Sequence, residues 1–375
     1  MPGQHRLREV ALLFTKLGVI GFGGPAAHIA LMREEVVRRR QWMDDREFLD
    51  WVGATNLIPG PNSTELAIHL GHRRAGWRGL LAAGACFIGP AVAIVGTLAW
   101  LYQRHGADPR VIDVRYGVLP VIIAVVAHAV VGLGRTAVTD RFTALLGLGA
   151  FASFLGGVHE LLVLAGAGLA ATVWASRAHL RDRLRRPPTA LLSAPLLAVV
   201  PVSRWRLFAV FLEIGSVLYG SGYVLLAFLQ RTLVDDLGWV TGQQLLDAVA
   251  AGQLTPGPVF TTATFLGWQV DGATGAAVAT AGIFLPSFVF VALLGSIVPW
   301  MRRHAPARAF LAGVTVASLA LMAGVLFELA GVAFTDLLTV LAGAVALAAL
   351  LRTRINSAWL IAGGVALGLL HAAVA

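Results

Sequence analysis

The chain has 375 residues, of which 57% are hydrophobic and 13% charged, and its formal net charge is +9. Water-soluble domains carry roughly a quarter charged residues, so this composition excludes a soluble globular protein and indicates a membrane protein. The basic residues are nearly all arginines in short stretches between apolar runs, the pattern of loops facing anionic lipid, which excludes nucleic acid as the partner.

His5, Arg6 and Arg8 precede the first apolar run, 10–31, with no small-x-small cleavage site, so this segment is expected to remain in the protein. Gly21-Phe-Gly-Gly-Pro25 lies midway through that run, where glycine permits close packing or local unwinding. It is not a phosphate-binding loop, since no Gly-Lys-Ser/Thr follows. The second run, 48–70, is interrupted by Pro59-Gly-Pro61. His69 and His72 at its end lack a third ligand, so no metal is expected. The third run, 79–101, holds Cys86, the single cysteine, which excludes an internal disulfide. Runs 117–135, 142–156 and 158–175 follow. The stretch from Arg177 to Arg206, with Pro187, Pro188, Pro195 and Pro201, reads as a linker. Six further runs complete the chain: 206–229, 244–267, 273–299, 309–330, 334–351 and 357–374.

The second six repeat the first. At an offset of 197, Phe14, Gly18, Gly23, Trp42, Asp50, Leu57, Pro59, Gly60, Pro61 and Thr64 meet identical residues at Phe211, Gly215, Gly220, Trp239, Asp247, Leu254, Pro256, Gly257, Pro258 and Thr261. After a one-residue slip, Gly71, Gly76, Gly79 and Pro90 meet Gly267, Gly272, Gly275 and Pro286. Twelve spans starting inside would divide the basic residues almost evenly, against the positive-inside rule. Proline removes a backbone donor and disfavours a helical residue before it. Each Pro-Gly-Pro is therefore expected to join two half-helices in a re-entrant hairpin. With the chain starting outside, twenty-two of the 29 basic residues then fall inside. The expected fold is an all-α polytopic membrane protein made of two inverted repeats of about five transmembrane helices, each with a broken Pro-Gly-Pro hairpin. The expected domains are residues 1–177, a cytoplasmic linker 178–205, and an inverted C-terminal repeat 206–375. Both termini, five spans from the linker, would face outward.

A half-helix N-terminus points backbone N–H groups and partial positive charge at whatever lies before it. The first hairpin restarts at Asn62, Ser63 and Thr64, the second near Thr261 and Thr262. Converging, they would cradle a small oxyanion, with Pro59, Gly60, Pro61, Pro256, Gly257 and Pro258 as structural tips; the alternative is that proline and glycine only bend the helices. Gly23 and Gly24, with Gly220 and Ser221 in the second half, either approach the ligand or pack helices.

Phe14-Thr-Lys-Leu-Gly-Val-Ile-Gly-Phe-Gly-Gly-Pro25, Pro59-Gly-Pro-Asn62, Gly71 with Ala75-Gly-Trp77, and Tyr219-Gly-Ser-Gly-Tyr-Val224 with Thr255-Pro-Gly-Pro258 resemble the chromate ion transporter family in its long, two-domain form. The resemblance covers both halves and implies chromate efflux from the cytoplasm, with sulfate as the similar dianion. The second half departs from the pattern, with Tyr219 and Ser221 at the places of Phe22 and Gly24 and Val259 at the place of Asn62, which argues against a strictly symmetric site.

Ionisable residues within apolar runs are costly and mark function by default. Lys16 either attracts an anion or snorkels to the interface. Its counterpart Glu213, or Glu65 four residues beyond the first tip, could carry a coupling proton; Glu65 also complements its helix N-terminus. Gln253 matches Asn56 just before the tips and could line the pathway. The pairs Asp44-Asp45 and Asp235-Asp236 read as solvated loops. No His-Glu-x-x-His and no plausible nucleophile pair is present, so no enzyme and no cofactor are expected. The reading is a secondary transporter of the inner (plasma) membrane acting on chromate. A sulfate or other oxyanion exchanger and an anion channel are the alternatives, and a homodimer is compatible with the sequence.

Overall fold

The computed structural model describes residues 2–22, 24–55, 57–105, 109–180, 203–218, 224–353, 355 and 357–374, and all regular structure among them is helical. In the first half the helices are α1 (Pro2–Ile20), α2 (Gly24–Arg33) running into a π-helical turn (Glu34–Arg39), α3 (Asp45–Thr55), α4 (Asn62–His105), α5 (Pro109–Ala137), α6 (Arg141–Leu155) and α7 (Glu160–Leu180). The second half repeats them as α8 (Arg204–Val217), α9 (Leu225–Leu229) with its π-helical turn (Gln230–Asp236), α10 (Gly242–Leu254), a short 3-10 turn (Val259–Thr261) leading into α11 (Thr262–Arg303), α12 (Ala305–Ala333), α13 (Leu337–Arg352) and α14 (Ser357–Val374). Among the described residues, four stretches are long and apolar enough to cross a bilayer: Asn62–His105, Asp113–Arg135, Val259–Leu294 and Ala305–Ala333. Local signals repeat with the halves. Asp140 with Thr143 and Asp336 with Thr339 form capping boxes that start α6 and α13.

α4 and α11 are each two helical arms. Ala75 and Gly76 leave helical geometry, Gly76 at φ 63°, as do Asp271 and Gly272, the latter at φ 57°. A left-handed residue at that point is inexpensive only for glycine. Beyond it the chain folds back on itself. Gly71 lies against Gly79 and Ala83, so closely that a Cβ on Gly79 would overlap the Gly71 carbonyl, and Gly267 lies against Gly275 and Ala279 in the same way. The arms 77–105 and 273–303 are long enough to span, at about 1.5 Å per residue, whereas 62–74 and 262–270 are not.

The first apolar run differs from the expected straight span. α1 ends at Ile20, and α2 with its π-helical turn runs back beside it: Lys16 Nζ donates to Glu35 Oε1 at 2.6 Å, and Glu9 receives Trp42 Nε1 at 3.1 Å and faces Arg40 at 3.5 Å. The reason is local, since Gly21 and Phe22 are non-helical and Gly24 sits at φ 76°. The second half also doubles back, bringing Glu213 of α8 into one cavity with Thr232 and Asp236.

Two ends of the bundle can be followed through these contacts. Arg74 binds Glu9 at 2.7 Å, and Arg73 pairs with Glu47, so the start of α1, the turn after α2 and the 75–76 bend share one arginine-rich end. At the far end of arm 77–105, Gln103 accepts from Trp268 Nε1 at 2.8 Å. Trp268 stands just before Gly272, so the two bends occupy opposite ends. The expectation that both termini face the same way is corrected by two contacts: α1 starts at the arginine-rich end, while His371, near the end of α14, stacks on Tyr116 of α5 at 4.1 Å, at the other. The cytoplasmic linker call, 178–205, falls mostly outside the described residues. Its flanks are informative. Thr172 reaches Pro306 at 3.4 Å, at the arginine-rich end, whereas Arg204 binds Asp271 at 2.9 Å, at the opposite one.

Candidate functional site

The two Pro-Gly-Pro segments are buried and each meets the opposite half. Pro59, Gly60 and Pro61 lie between α3 and α4, and Pro256, Gly257 and Pro258 between α10 and the turn before α11. Gly60 N–H donates to the Leu218 carbonyl at 2.8 Å, and Gly257 N–H donates to the Gly21 carbonyl at 2.9 Å. Both bonds run from a tip to the place where the other half's first helix breaks. Each donor and acceptor has its counterpart 197 residues away, so the two bonds are reciprocal between the repeats. Gly60 has φ 128° and Gly257 φ 99°, backbone that favours glycine.

Asn62, Ser63, Thr64 and Glu65 form the first turn of α4, with Ser63, Thr64 and Glu65 buried. The N–H groups of Thr64 and Glu65 turn back to the Pro61 carbonyl. Thr261 and Thr262 start the second restart and are buried too; their hydroxyls donate to Pro258 and Val259 carbonyls at 2.8 Å. Their lone pairs stay available as acceptors only, so these two hydroxyls do not donate to a further group. Gln253 lines a small cavity with Thr262, Val259 and Val126, its Nε2 lacking a hydrogen-bond partner among the described residues. Gly23, Asn56, Gly220 and Ser221 lie outside the described residues; Gly24 opens α2 beside the first break.

The charged candidates stand apart from the tips. Lys16 pairs with Glu35 on the flank of the α1–α2 doubling, its side chain 45% exposed, among Arg39 and Arg40. Below it, Arg33 binds Asp45 and holds that carboxyl under its usual range. Glu213 lines a cavity with His159, Glu160 and Asp236 at the other end. Glu65, by contrast, is at the first tip, fully buried, and a Cβ on Gly60 would overlap its Oε1.

Two residues at the tips had been missed. His28 of α2 is buried and bridges the site, Nδ1 lying 3.1 Å from Ser63 Oγ and Nε2 2.8 Å from the Gly21 carbonyl. A histidine inside an apolar run was the signal that could have found it. Ser287 of α11, next to Pro286, lies 2.8 Å from where a Cβ on Gly60 would be; no sequence signal marks it. The arrangement offers the unpartnered hydroxyls of Thr64 and Ser287 and two helix starts, with no cation among the described residues at the tips.

The family profile described as Chromate transporter matches the chain twice, over residues 8–172 and 205–369. The chain is 31% identical to the chromate transport protein of Cupriavidus metallidurans over 97% of its own length and 93% of the relative's. It is 30% identical to the probable chromate transport protein of Synechococcus elongatus, covering 92% and 89%. No solved structure matches it. The chain belongs to the chromate transporter family and is a multi-pass membrane protein.

Proposed function

From membership of that family, we propose that the protein is a secondary active exporter of chromate from the cytoplasm across the plasma membrane. The oxyanion is held at the restarts after Pro61 and Pro258, between two inverted repeats, residues 1–177 and 206–375. The observation that carries this reading is the reciprocal pair of hydrogen bonds, Gly60 to Leu218 and Gly257 to Gly21, which ties each tip to the opposite half. Inversion is supported by the 75–76 and 271–272 bends lying at opposite ends. In this reading each repeat sends two re-entrant hairpins to the midplane, α1–α2 with α3–arm 62–74 from one side and their counterparts from the other. Broken helices that meet at the midplane present positive helix ends to an anion without a buried cation. Lys16 and the arginines around it gather the dianion at the cytoplasmic mouth. Glu65 and Glu213 are the candidates for coupling.

Arginine-rich ends face the cytoplasm, which orients the molecule. In a Cys86→Ser background, Arg177→Cys is expected to be protected from an impermeant thiol reagent added to intact cells, and Arg204→Cys to be labelled. Equal labelling of both would contradict the orientation and the inversion together.

Asn62→Ala removes a side chain from the first turn that faces the oxyanion. A lost cap or anion bond is worth about 0.5–2 kcal/mol, so the half-saturating chromate concentration in proteoliposomes should rise roughly three- to thirtyfold at unchanged protein level. The function itself is tested there by counterflow: vesicles preloaded with chromate should accumulate labelled chromate transiently above equilibrium. A channel gives no such overshoot, and its absence would overturn the transporter reading.

A further inference from the structure

The two restarts are unequal in one respect that bears on coupling. Glu65 stands at the first tip where Thr262 stands at the second, and Ser287 beside Gly60 corresponds to Ala91 beside Gly257. Glu65 is fully buried, and among the described residues neither of its carboxyl oxygens has a hydrogen-bond partner; the hydroxyls of Thr64 and Ser287 also lack one. Two unpartnered buried side chains from opposite halves of the chain, Glu65 and Ser287, therefore lie against one glycine tip, with Thr64 in the adjoining first turn of α4. Leaving such groups without partners is costly, and a ligand that arrives there relieves the cost.

Resting on the oxyanion site proposed above, we propose that Glu65 takes up one proton from solvent for each oxyanion bound, so that proton and oxyanion cross together. A bare carboxylate and a dianion cannot share one buried tip, because like charges at close range repel strongly where water is excluded. With a proton on one carboxyl oxygen, the same group becomes a donor that the oxyanion accepts, alongside the hydroxyls of Thr64 and Ser287. The occupied site then carries one negative charge fewer. Among the described residues, two other titratable side chains face this end of α4. His28, from α2, is engaged by Ser63 and the Gly21 carbonyl, and His69, one turn along the same helix, lies against Trp51 of α3 with ring centroids 3.8 Å apart. From the second half the tip meets Leu218, just after α8, and Ser287 of α11. Glu65 is thus the acidic group placed against the tip itself.

The test is calorimetry on the purified full-length protein, titrated with chromate at alkaline pH, where chromate stays a dianion, in two buffers of different ionisation enthalpy. The difference in heat counts protons. The wild type should take up as much as one proton per chromate bound, and Glu65→Gln should bind chromate at least as tightly while taking up none. Glu65→Asp should retain uptake. Equal proton counts in wild type and Glu65→Gln, or binding by the wild type with no uptake, would overturn the proposal while leaving the oxyanion site intact. If the folded wild type gives no binding heat with chromate, the oxyanion site itself is wrong and this inference falls with it. Should Glu65→Gln not fold, infrared difference spectra of the wild type decide the matter: a protonated-carboxyl stretch must appear on adding chromate, and its absence overturns the proposal.

Discussion

Gly60→Ala is expected to abolish chromate transport in a protein that still reaches the membrane and folds. Gly60 sits at φ 128°, where an L side chain is strained, and its added methyl would overlap Glu65 Oε1 and crowd Ser287 Oγ. Strain of this kind costs about 1–3 kcal/mol, and the overlap adds to it. The tip relieves both by shifting, which breaks the bond from Gly60 N–H to Leu218 and moves the start of α4. A change of 3 kcal/mol is roughly a hundredfold in affinity. Gly76→Ala is the matched control. Its φ is 63°, but nothing lies within 4 Å of the new methyl, so it should cost only about 1–2 kcal/mol of stability and transport nearly as the wild type does. Initial rates of chromate uptake into proteoliposomes, at matched protein content, measure the difference. Similar rates for the two variants would show that the tip geometry is not functional.

The second large effect concerns the contact of the arms. Gly79→Leu should eliminate folded protein from the membrane, and Gly275→Leu should do the same from the other half. Each added side chain would penetrate a backbone carbonyl, that of Gly71 or Gly267, and backbone in a packed helix pair yields little. Overpacking a core costs typically about 1–3 kcal/mol even when side chains can move; here the arms must separate. Gly89→Leu, on the same arm as Gly79 but with open space around it, should be tolerated. Monodispersity of a fluorescent fusion on size exclusion, compared across the three, reads the outcome, and intact Gly79→Leu protein would show that arm 62–74 does not pack against arm 77–105.

Much of this arrangement is written in local chemistry. The breaks at Pro59–Pro61 and Pro256–Pro258 are legible because proline cannot continue a helical ladder, and the duplication because identical residues recur at a fixed offset. The doubling back at Gly21 is not. The run 10–31 is apolar along its length and reads as a span, and the partners that return it, Lys16 and Glu35, are 19 residues apart in segments that look unrelated. That one misreading moved the N-terminus to the wrong end, since a hairpin returns the chain to the side a span would leave. His28 was hidden for a similar reason: its partner Ser63 is 35 residues away, across a tertiary contact that no helical periodicity encodes. Ser287 is an ordinary small residue in an apolar helix until the fold sets it beside Gly60. Lys16 and Glu213 illustrate the converse. Their charges stand out in the sequence, yet the tips themselves are built from backbone donors, hydroxyls and one carboxyl.

The central claim is that a dianion sits at the restarts of the two halves. Anomalous scattering at the chromium edge, from crystals grown with chromate, locates the metal atom without reference to the protein density. The account predicts a peak between the first turn of α4 at Asn62 and the turn at Val259–Thr261, absent from crystals grown without chromate. A peak confined to the arginine-rich end or to the cavity beside Glu213, with none at the tips, would contradict it.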